Sequence, residues 1–301
     1  MNKGKHLNKA PIASAILPVA IKKLLEALVY SSVFISCCAF ALTLETYWLA
    51  GLSSSMPMAV FVFLATLFTY NLSSVQSIIR RANQQRNRQS ESWVLRHKQS
   101  MAVLGVLSIT SAIAVYFVFG LQINTWFILH LAVISIGYTV PVLYKKRRIR
   151  TLRSVPLLKV FLIAYVWAMV TGLLPLLDAG LAAGQPETWL FFARRFLFIL
   201  ALALLFDVRD YHYDRQMKTL TFPGLIGVQN TKILSLGLLV AYVALLCATE
   251  ESTLLLALVA SAVVAAAVII FASEHKPRLY YLLLVDGAML VHAGFVYLAT
   301  R

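Results

Sequence analysis

The sequence has few charged residues and very few acidic ones. Only 13% of its 301 residues are charged, and 12 Asp and Glu stand against 27 Lys and Arg. No polar stretch is long enough to fold alone, which excludes a separate soluble domain. The three cysteines, Cys37, Cys38 and Cys247, lie in apolar segments without metal-ligand spacing. They are typical of small apolar core residues, and neither a zinc site nor a disulfide framework is indicated.

Apolar runs dominate what is present. Hydrophobic residues make up 60% of the chain, and its runs are long enough to cross a hydrocarbon core of about 30 Å. The predicted runs are 24–44, 56–79, 100–120, 123–144, 156–177, 188–206, 232–249, 252–272 and 279–299. The prediction is therefore an all-α integral membrane protein with nine transmembrane helices, forming one membrane domain over 24–301 after a tail over 1–23.

The positive charge lies on one side of these runs. Of the 27 Lys and Arg, 24 fall in the N-terminal tail or in the even-numbered loops. The odd-numbered loops hold Glu45, Asp178, Glu187, Glu250 and Glu251. This asymmetry predicts a cytoplasmic N-terminus, an outside C-terminus and cytoplasmic loops at 80–99, 145–155 and 207–231. It also argues against a nucleic-acid partner, and a basic cytoplasmic face attracts anionic headgroups and diphosphates.

A few charged residues lie inside the apolar runs. Arg194 and Arg195 fall in the sixth run, so either that helix begins later or both side chains reach the outer interface. Glu26 and Asp286 lie in the first and ninth runs, and each is either a functional carboxylate or half of an interfacial ion pair. For His292, in the ninth run, hydrogen bonding within the bundle is expected.

An acidic cluster directly follows the sixth run. Asp207, Asp210 and Asp214 are spaced i, i+3 and i+7, which places them on one face of a helix. Bare carboxylates this close repel one another, and a divalent cation relieves the repulsion. Magnesium suits such a site, because it takes a few carboxylates and completes its shell with water and substrate phosphates. The competing interpretation is a solvated helix end that pairs with Arg209 and Arg215.

These residues resemble the UbiA superfamily of intramembrane prenyltransferases. The second acidic motif of the family, D-x-x-D-x-x-x-D with a K-T-L-P-like stretch and a glycine, is matched by Asp207, Asp210, Asp214, Lys218, Thr219, Leu220, Pro223 and Gly227. The segment from Tyr138 to Lys145 is similar to the family's Tyr-Ser-x-Pro-x-x-x-Lys segment, which lies beside the diphosphate.

The first acidic motif of the family is where this sequence departs from it. The family pattern is N-D-x-x-D-x-x-x-D, followed by R-x-N-R-P or a relative of it. Asn71 stands at the Asn position, and Arg86 and Arg88 stand at the right distance downstream. Val75 and Ile79 replace the two metal-binding Asp residues, and neither side chain binds a cation. Arginine clamps phosphate oxygens without a metal, so the arginines are predicted to offset this loss.

The resemblance implies a fold and a site. The fold would be a UbiA-like bundle of two four-helix repeats plus a ninth helix, around a central cavity open to the cytoplasm. Mg2+ would bind Asp207, Asp210 and Asp214, the catalytic residues. The residues predicted to bind the diphosphate are Asn71, Arg86, Arg88, Tyr138, Lys145, Lys159 and Lys218. Of these, Lys159 is equally interpretable as an ordinary interfacial charge.

Three functions compete at this point. The resemblance implies a Mg-dependent prenyltransferase that moves an isoprenyl group from a polyprenyl diphosphate to a small acceptor, in a prokaryotic inner membrane. The broken first motif favours a catalytically inactive or altered relative, which binds lipid diphosphate or acts as a membrane partner protein. A transporter is less favoured, because the charges cluster at one face and no polar pathway crosses the midplane.

Overall fold

The computed structural model describes residues 19–82, 93, 95–139, 143–145, 148–150, 155, 157–217, 219–250 and 252–301. The helices are α1 (Val19–Tyr30), α2 (Val33–Leu49), α3 (Met56–Ala82), α4 (Lys98–Val118), α5 (Thr125–Thr139), α6 (Leu158–Ala168), α7 (Leu174–Asp178), α8 (Pro186–Gln216), α9 (Phe222–Ile226), α10 (Val228–Cys247), α11 (Ser252–Phe271), α12 (Arg278–Tyr280) and α13 (Gly287–Ala299). Strands β1 (Leu143–Lys145) and β2 (Arg148–Arg150) form an antiparallel hairpin. Two π-helical turns, Met169–Leu173 and Tyr281–Val285, join α6 to α7 and α12 to α13.

The helices are those of an integral membrane protein. Within the described residues, seven helical segments are long and apolar enough to cross a bilayer. They are Met56–Ser74, Lys98–Val118, Leu158–Asp178, Pro186–Gln216, Val228–Cys247, Thr253–Phe271 and Arg278–Ala299. The bent pair α1 and α2 makes an eighth if it counts as one span, and α5 is a shorter apolar helix. The predicted number of nine therefore stays a prediction.

Three of the predicted segments differ from the helices observed. The first is not one straight helix, because α1 and α2 meet at 63° where Ser32 has a left-handed backbone, with φ of 67°. The fourth ends at Thr139, and residues 143–145, predicted helical up to 144, belong to β1 instead. The sixth continues through Gln216, ten residues beyond its predicted end. Helix α1 also includes residues 19–23, which were predicted as part of the tail.

Five of the long segments and α2 form a closed ring. Around it, α2 packs on α13, α13 on α11, α11 on α10, α10 on α8, α8 on α6, and the π-helical turn after α6 returns to α2. Helix α3 packs between α2 and α4, and α5 lies against α3 and α6. Helix α8 is the most central element, since its residues from Phe198 to Leu205 are all buried.

Short polar side chains hold the buried helix contacts together. Thr46 Oγ1 donates to the carbonyl of Thr171 at 2.6 Å, which joins α2 to the π-helical turn. Ser235 Oγ donates to the carbonyl of Ala201 at 2.5 Å, which joins α10 to α8. Small hydroxyl residues suit this role, because they allow close helix approach and keep their polar atoms bonded. All three cysteines are free, and only Cys38 is buried, so the prediction of core positions is wrong for the other two.

Candidate functional site

Two of the predicted carboxylates share one cation. Asp207 and Asp214 lie two turns apart on the same face of α8, and both point at Lys159 of α6. The ammonium nitrogen of Lys159 is 2.5 Å from Oδ1 of Asp207 and 3.6 Å from Oδ2 of Asp214. All three residues are buried, with Asp207 only 1% exposed. The prediction that these carboxylates share a helical face is borne out by this geometry.

The backbone before α6 fixes where Lys159 lies. Leu157 adopts a left-handed conformation with φ of 60°, and its N–H donates to the carbonyl of Leu220 at 3.3 Å. A residue with a Cβ rarely takes this conformation, since it costs about 1–2 kcal/mol. The bond ties the start of α6 to the segment that follows α8. Lys159, the second residue of α6, is thereby held beside the carboxylates of α8.

Asp210, the middle carboxylate, has a different partner. Arg209 grips it with two hydrogen bonds, Nε to Oδ1 at 3.0 Å and Nη2 to Oδ2 at 2.9 Å. The same guanidinium lies 4.9 Å from the ring centre of Phe206. A bidentate pair of this kind fixes both side chains. The sequence also allowed these carboxylates to pair with Arg209. The structure shows this pairing for Asp210, whereas Asp207 and Asp214 pair with Lys159.

The residues fit magnesium only in part. Among the described residues, no group of three His, Cys, Asp or Glu is placed to hold a metal ion. Asp207 and Asp214 nevertheless already bind one cation together, because the ammonium of Lys159 lies between them. Magnesium is commonly held by one or two carboxylates together with substrate phosphates. The two carboxylates that face Lys159 meet this requirement, and ligation by all three, Asp210 included, stays a prediction.

Asn71, the remnant of the first motif, is buried without a partner. It is 1% exposed, and neither its side-chain oxygen nor its nitrogen makes a hydrogen bond within the described part of the chain. An unsatisfied buried amide costs about 1–3 kcal/mol. Its neighbour Tyr70 accepts a hydrogen bond from Trp167 of α6 at 3.1 Å. The middle of α3 thus meets α6, and α5 also packs against α3.

The structure describes less about the other residues that are predicted to bind the diphosphate. Lys145 is the last residue of β1 and is paired with Arg148 of β2. Arg86, Arg88 and Lys218 lie outside the described residues. Their roles stay predictions. The structure therefore brings together Asp207, Asp214 and Lys159, with Asp210 beside them on the same helix.

Asp286, considered above as a functional carboxylate, is buried at the junction of a π-helical turn and α13. It is 5% exposed, and its backbone carbonyl accepts a contact from Cys38 Sγ at 3.4 Å. A π-helical turn often marks a functional position. The functional interpretation of Asp286 stays a prediction.

A second ion cluster, which the sequence did not predict, lies at the other end of α8. Arg195 donates to Glu45 at 2.9 Å, and Nε2 of His292 lies 3.0 Å from the other oxygen of Glu45. Ser261 Oγ lies 2.6 Å from Nδ1 of His292, and Arg195 also donates to Thr46. Glu45 is 0% exposed. This cluster joins α2, α8, α11 and α13.

The predictions for these residues were partly wrong. Glu45 belongs to α2 and not to an outer loop, and Arg195 is buried rather than turned to the interface. The bundle hydrogen bond expected of His292 is confirmed. Arg194 pairs with Glu250 and with Thr249 at 2.5 Å. A cavity of about 20 Å³, enough for one water molecule, lies among these side chains. An acid and a base at similar depths in two apolar runs are the signal that could have revealed the cluster.

No protein-family model and no curated protein matches this sequence. Solved structures do match. A UbiA homologue from Archaeoglobus fulgidus bound to GPP and Mg2+ aligns with a TM-score of 0.60 at 11% identity, covering 90% of this chain and 99% of that one. The chain has the fold of the UbiA superfamily. An apo UbiA homologue from Aeropyrum pernix K1 aligns with a TM-score of 0.54 at 15% identity, covering 91% and 98%.

A third structure with the UbiA fold is that of digeranylgeranylglyceryl phosphate synthase. It aligns with a TM-score of 0.51 at 13% identity, covering 93% of this chain and 97% of the other. The similarity to all three extends over nearly the full length of both partners. The sequence motifs and the fold of the whole chain thus point to the same superfamily fold.

Proposed function

We propose that this chain is an intramembrane prenyltransferase that takes an isoprenyl group from a polyprenyl diphosphate. The observation that carries the proposal is the buried group of Asp207, Asp214 and Lys159 at one end of an apolar bundle. The Archaeoglobus structure with this fold holds GPP and Mg2+. The proposed architecture is nine spans around a cavity that opens to the cytoplasm, with the N-terminus inside, as the charge asymmetry favours.

The chemistry follows from the charges of the site. Transfer requires the C–O bond of the allylic diphosphate to ionise, so negative charge develops on the leaving group. Magnesium, when bound, supplies positive charge to that leaving group. Asp207 and Asp214 would hold it. The apolar bundle keeps water from the carbocation, which a small electron-rich acceptor then captures.

Positively charged side chains would stabilise the rest of the negative charge on the leaving diphosphate. We assign Lys159, Lys145, Lys218, Arg86 and Arg88 to the diphosphate, with Asn71 and Tyr138 as polar contacts. In the sequence, Arg86 and Arg88 follow the segment in which Val75 and Ile79 have replaced carboxylates. A guanidinium binds phosphate oxygens in a fixed bidentate geometry.

The loss of the first motif favours a second candidate function. Val75 and Ile79 stand where the family has two metal-binding Asp residues, and Asp210 is already paired with Arg209. A relative altered in this way would bind lipid diphosphate without turning it over, or would serve as a partner of other membrane enzymes. Release of pyrophosphate from geranyl diphosphate, in the presence of a panel of phenolic and glycerol-linked acceptors, separates the two candidates.

Binding of the donor is the first expected result. Geranyl diphosphate with Mg2+, at 100 times its dissociation constant, is expected to stabilise the purified protein by about 2.7 kcal/mol. Thermal unfolding in detergent micelles measures this. Geraniol is the matched control, because it has the chain without the diphosphate and should give no comparable shift. Absence of a shift with every donor length tested, from geranyl diphosphate upward, would refute diphosphate binding and with it the transferase, and it would leave only the role as a partner of other membrane enzymes.

A further inference from the structure

The ammonium of Lys159 occupies the place that a metal ion would need. It is held between Asp207 and Asp214, and its side chain is only 10% exposed. Asp210 offers no substitute nearby, since Arg209 grips both of its oxygens. A metal ion entering this site therefore meets a buried cation on the same two carboxylates. Two cations about 4 Å apart in a site shielded from water repel each other strongly.

The charge balance decides when a metal can enter. Asp207 and Asp214 carry two negative charges, and Lys159 cancels one of them. A divalent ion added alone would leave the buried site with one excess positive charge, which is costly unless it is paired. A diphosphate that arrives with the metal removes the excess and offers its oxygens to the ammonium. The lysine then has a second partner and can leave the carboxylates.

We propose that Lys159 competes with magnesium for Asp207 and Asp214, so that the metal binds this chain only together with the diphosphate. The inference rests on the proposed function, because it concerns the same site. It makes Lys159 a positioning residue with two alternative partners, the carboxylates in the empty protein and the diphosphate in the loaded one. Metal and diphosphate then raise each other's affinity, as linkage requires of two ligands that favour one state.

The test is metal binding measured directly. Mn2+, detected by its electron paramagnetic resonance signal, is titrated into the detergent-solubilised protein with and without inorganic pyrophosphate. The wild type is expected to bind Mn2+ about tenfold or more tightly when pyrophosphate is present, within the usual range of coupling between two ligands. Lys159→Met is expected to bind Mn2+ without pyrophosphate at least about tenfold more tightly than the wild type, and to lose most of the coupling.

Two further variants control the experiment. Lys159→Arg keeps the positive charge and should behave as the wild type does. Lys232→Met removes a lysine that donates instead to the carbonyl of Ile270, so it should leave Mn2+ binding unchanged. If Lys159→Met does not fold, Lys159→Gln removes the same charge and replaces it in the test. Equal Mn2+ affinity in the wild type and the neutral variant would overturn the proposal, as would equal wild-type affinity with and without pyrophosphate.

The outcomes separate this inference from the proposed function. Tighter Mn2+ binding by Lys159→Met in buffer without pyrophosphate supports the competition, even if geranyl diphosphate fails to stabilise any variant. That failure would refute the proposed function alone. Conversely, stabilisation by geranyl diphosphate with unchanged Mn2+ binding in Lys159→Met would support the function and overturn the competition.

Discussion

Replacing Arg195 with leucine is expected to lower the free energy of unfolding by about 3–5 kcal/mol, the usual cost of removing one partner from a buried ion pair. Glu45 would keep its charge while fully buried in α2, with His292 as its remaining neighbour. The guanidinium also donates to the carbonyl of Leu42 and to Thr46, so two further acceptors lose a donor. Titration with dodecyl sulfate in mixed micelles, followed by circular dichroism, measures the loss.

A second variant tests the cause of this loss. In Glu45→Met with Arg195→Met, both charges are gone, and apolar replacement of a buried pair is often neutral or stabilising. The double variant is therefore expected to be more stable than Arg195→Leu. Arg215→Leu is the matched control on the same helix, because its side chain is exposed, and its effect should stay within about 0.5 kcal/mol. A double variant as unstable as the sum of its single variants would show that the two charges are not coupled, and it would overturn this explanation of the loss.

The positions of the helices could be predicted because lipid selects for long apolar runs. The predicted run 252–272 and the observed helix Ser252–Phe271 differ by one residue. The first and last residues of the helices were harder to predict, because hydropathy reflects how readily a residue enters lipid and not where the backbone is helical. Residues 207–216 are too polar for the membrane, yet α8 continues through them because helical hydrogen bonds persist in water. The left-handed Ser32 that bends the first segment leaves no mark in hydropathy either.

The site could be predicted only along the helix that carries it. Spacing within one helix placed Asp207 and Asp214 on a common face, which the structure has. It could not distinguish them from Asp210, whose partner is the adjacent Arg209. Lys159 was one of seven cations between residues 145 and 159. Its pairing with α8 depends on how α6 packs and on the turn at Leu157, and neither is encoded in a local pattern.

The second ion cluster escaped prediction for a related reason. Glu45 and Arg195 are 150 positions apart, and each alone resembles a charge at the end of a span. The positive-inside rule treats such residues as topological signals, because it considers loops and not pairs. A buried pair becomes visible only when the ring of helices brings α2 against α8 and α13. The same limitation applies to any membrane chain with few charges.

Asp207→Asn is expected to weaken binding of geranyl diphosphate with Mg2+ by about 10- to 100-fold, equivalent to about 1.5–3 kcal/mol for a lost contact to a charged group. Asp207 makes the shortest contact to Lys159, so it is the carboxylate from which a cation gains most. Binding of labelled geranyl diphosphate to the solubilised protein measures the affinity. Asp214→Asn should lower it in the same direction, since its oxygen lies 3.6 Å from the same nitrogen.

Asp210→Asn is the matched control, with the same substitution on the same helix. Its carboxylate is held by Arg209, so its loss should change the affinity only a few-fold. Because Asp207→Asn also removes a partner of Lys159, the variants are compared by their affinity for labelled geranyl diphosphate and not by the melting temperature of the empty protein. Equal losses in Asp207→Asn and Asp210→Asn would mean that all three carboxylates act as one metal site, as the motif alone implies. A loss confined to Asp207 and Asp214 would assign the site to the two carboxylates that share Lys159.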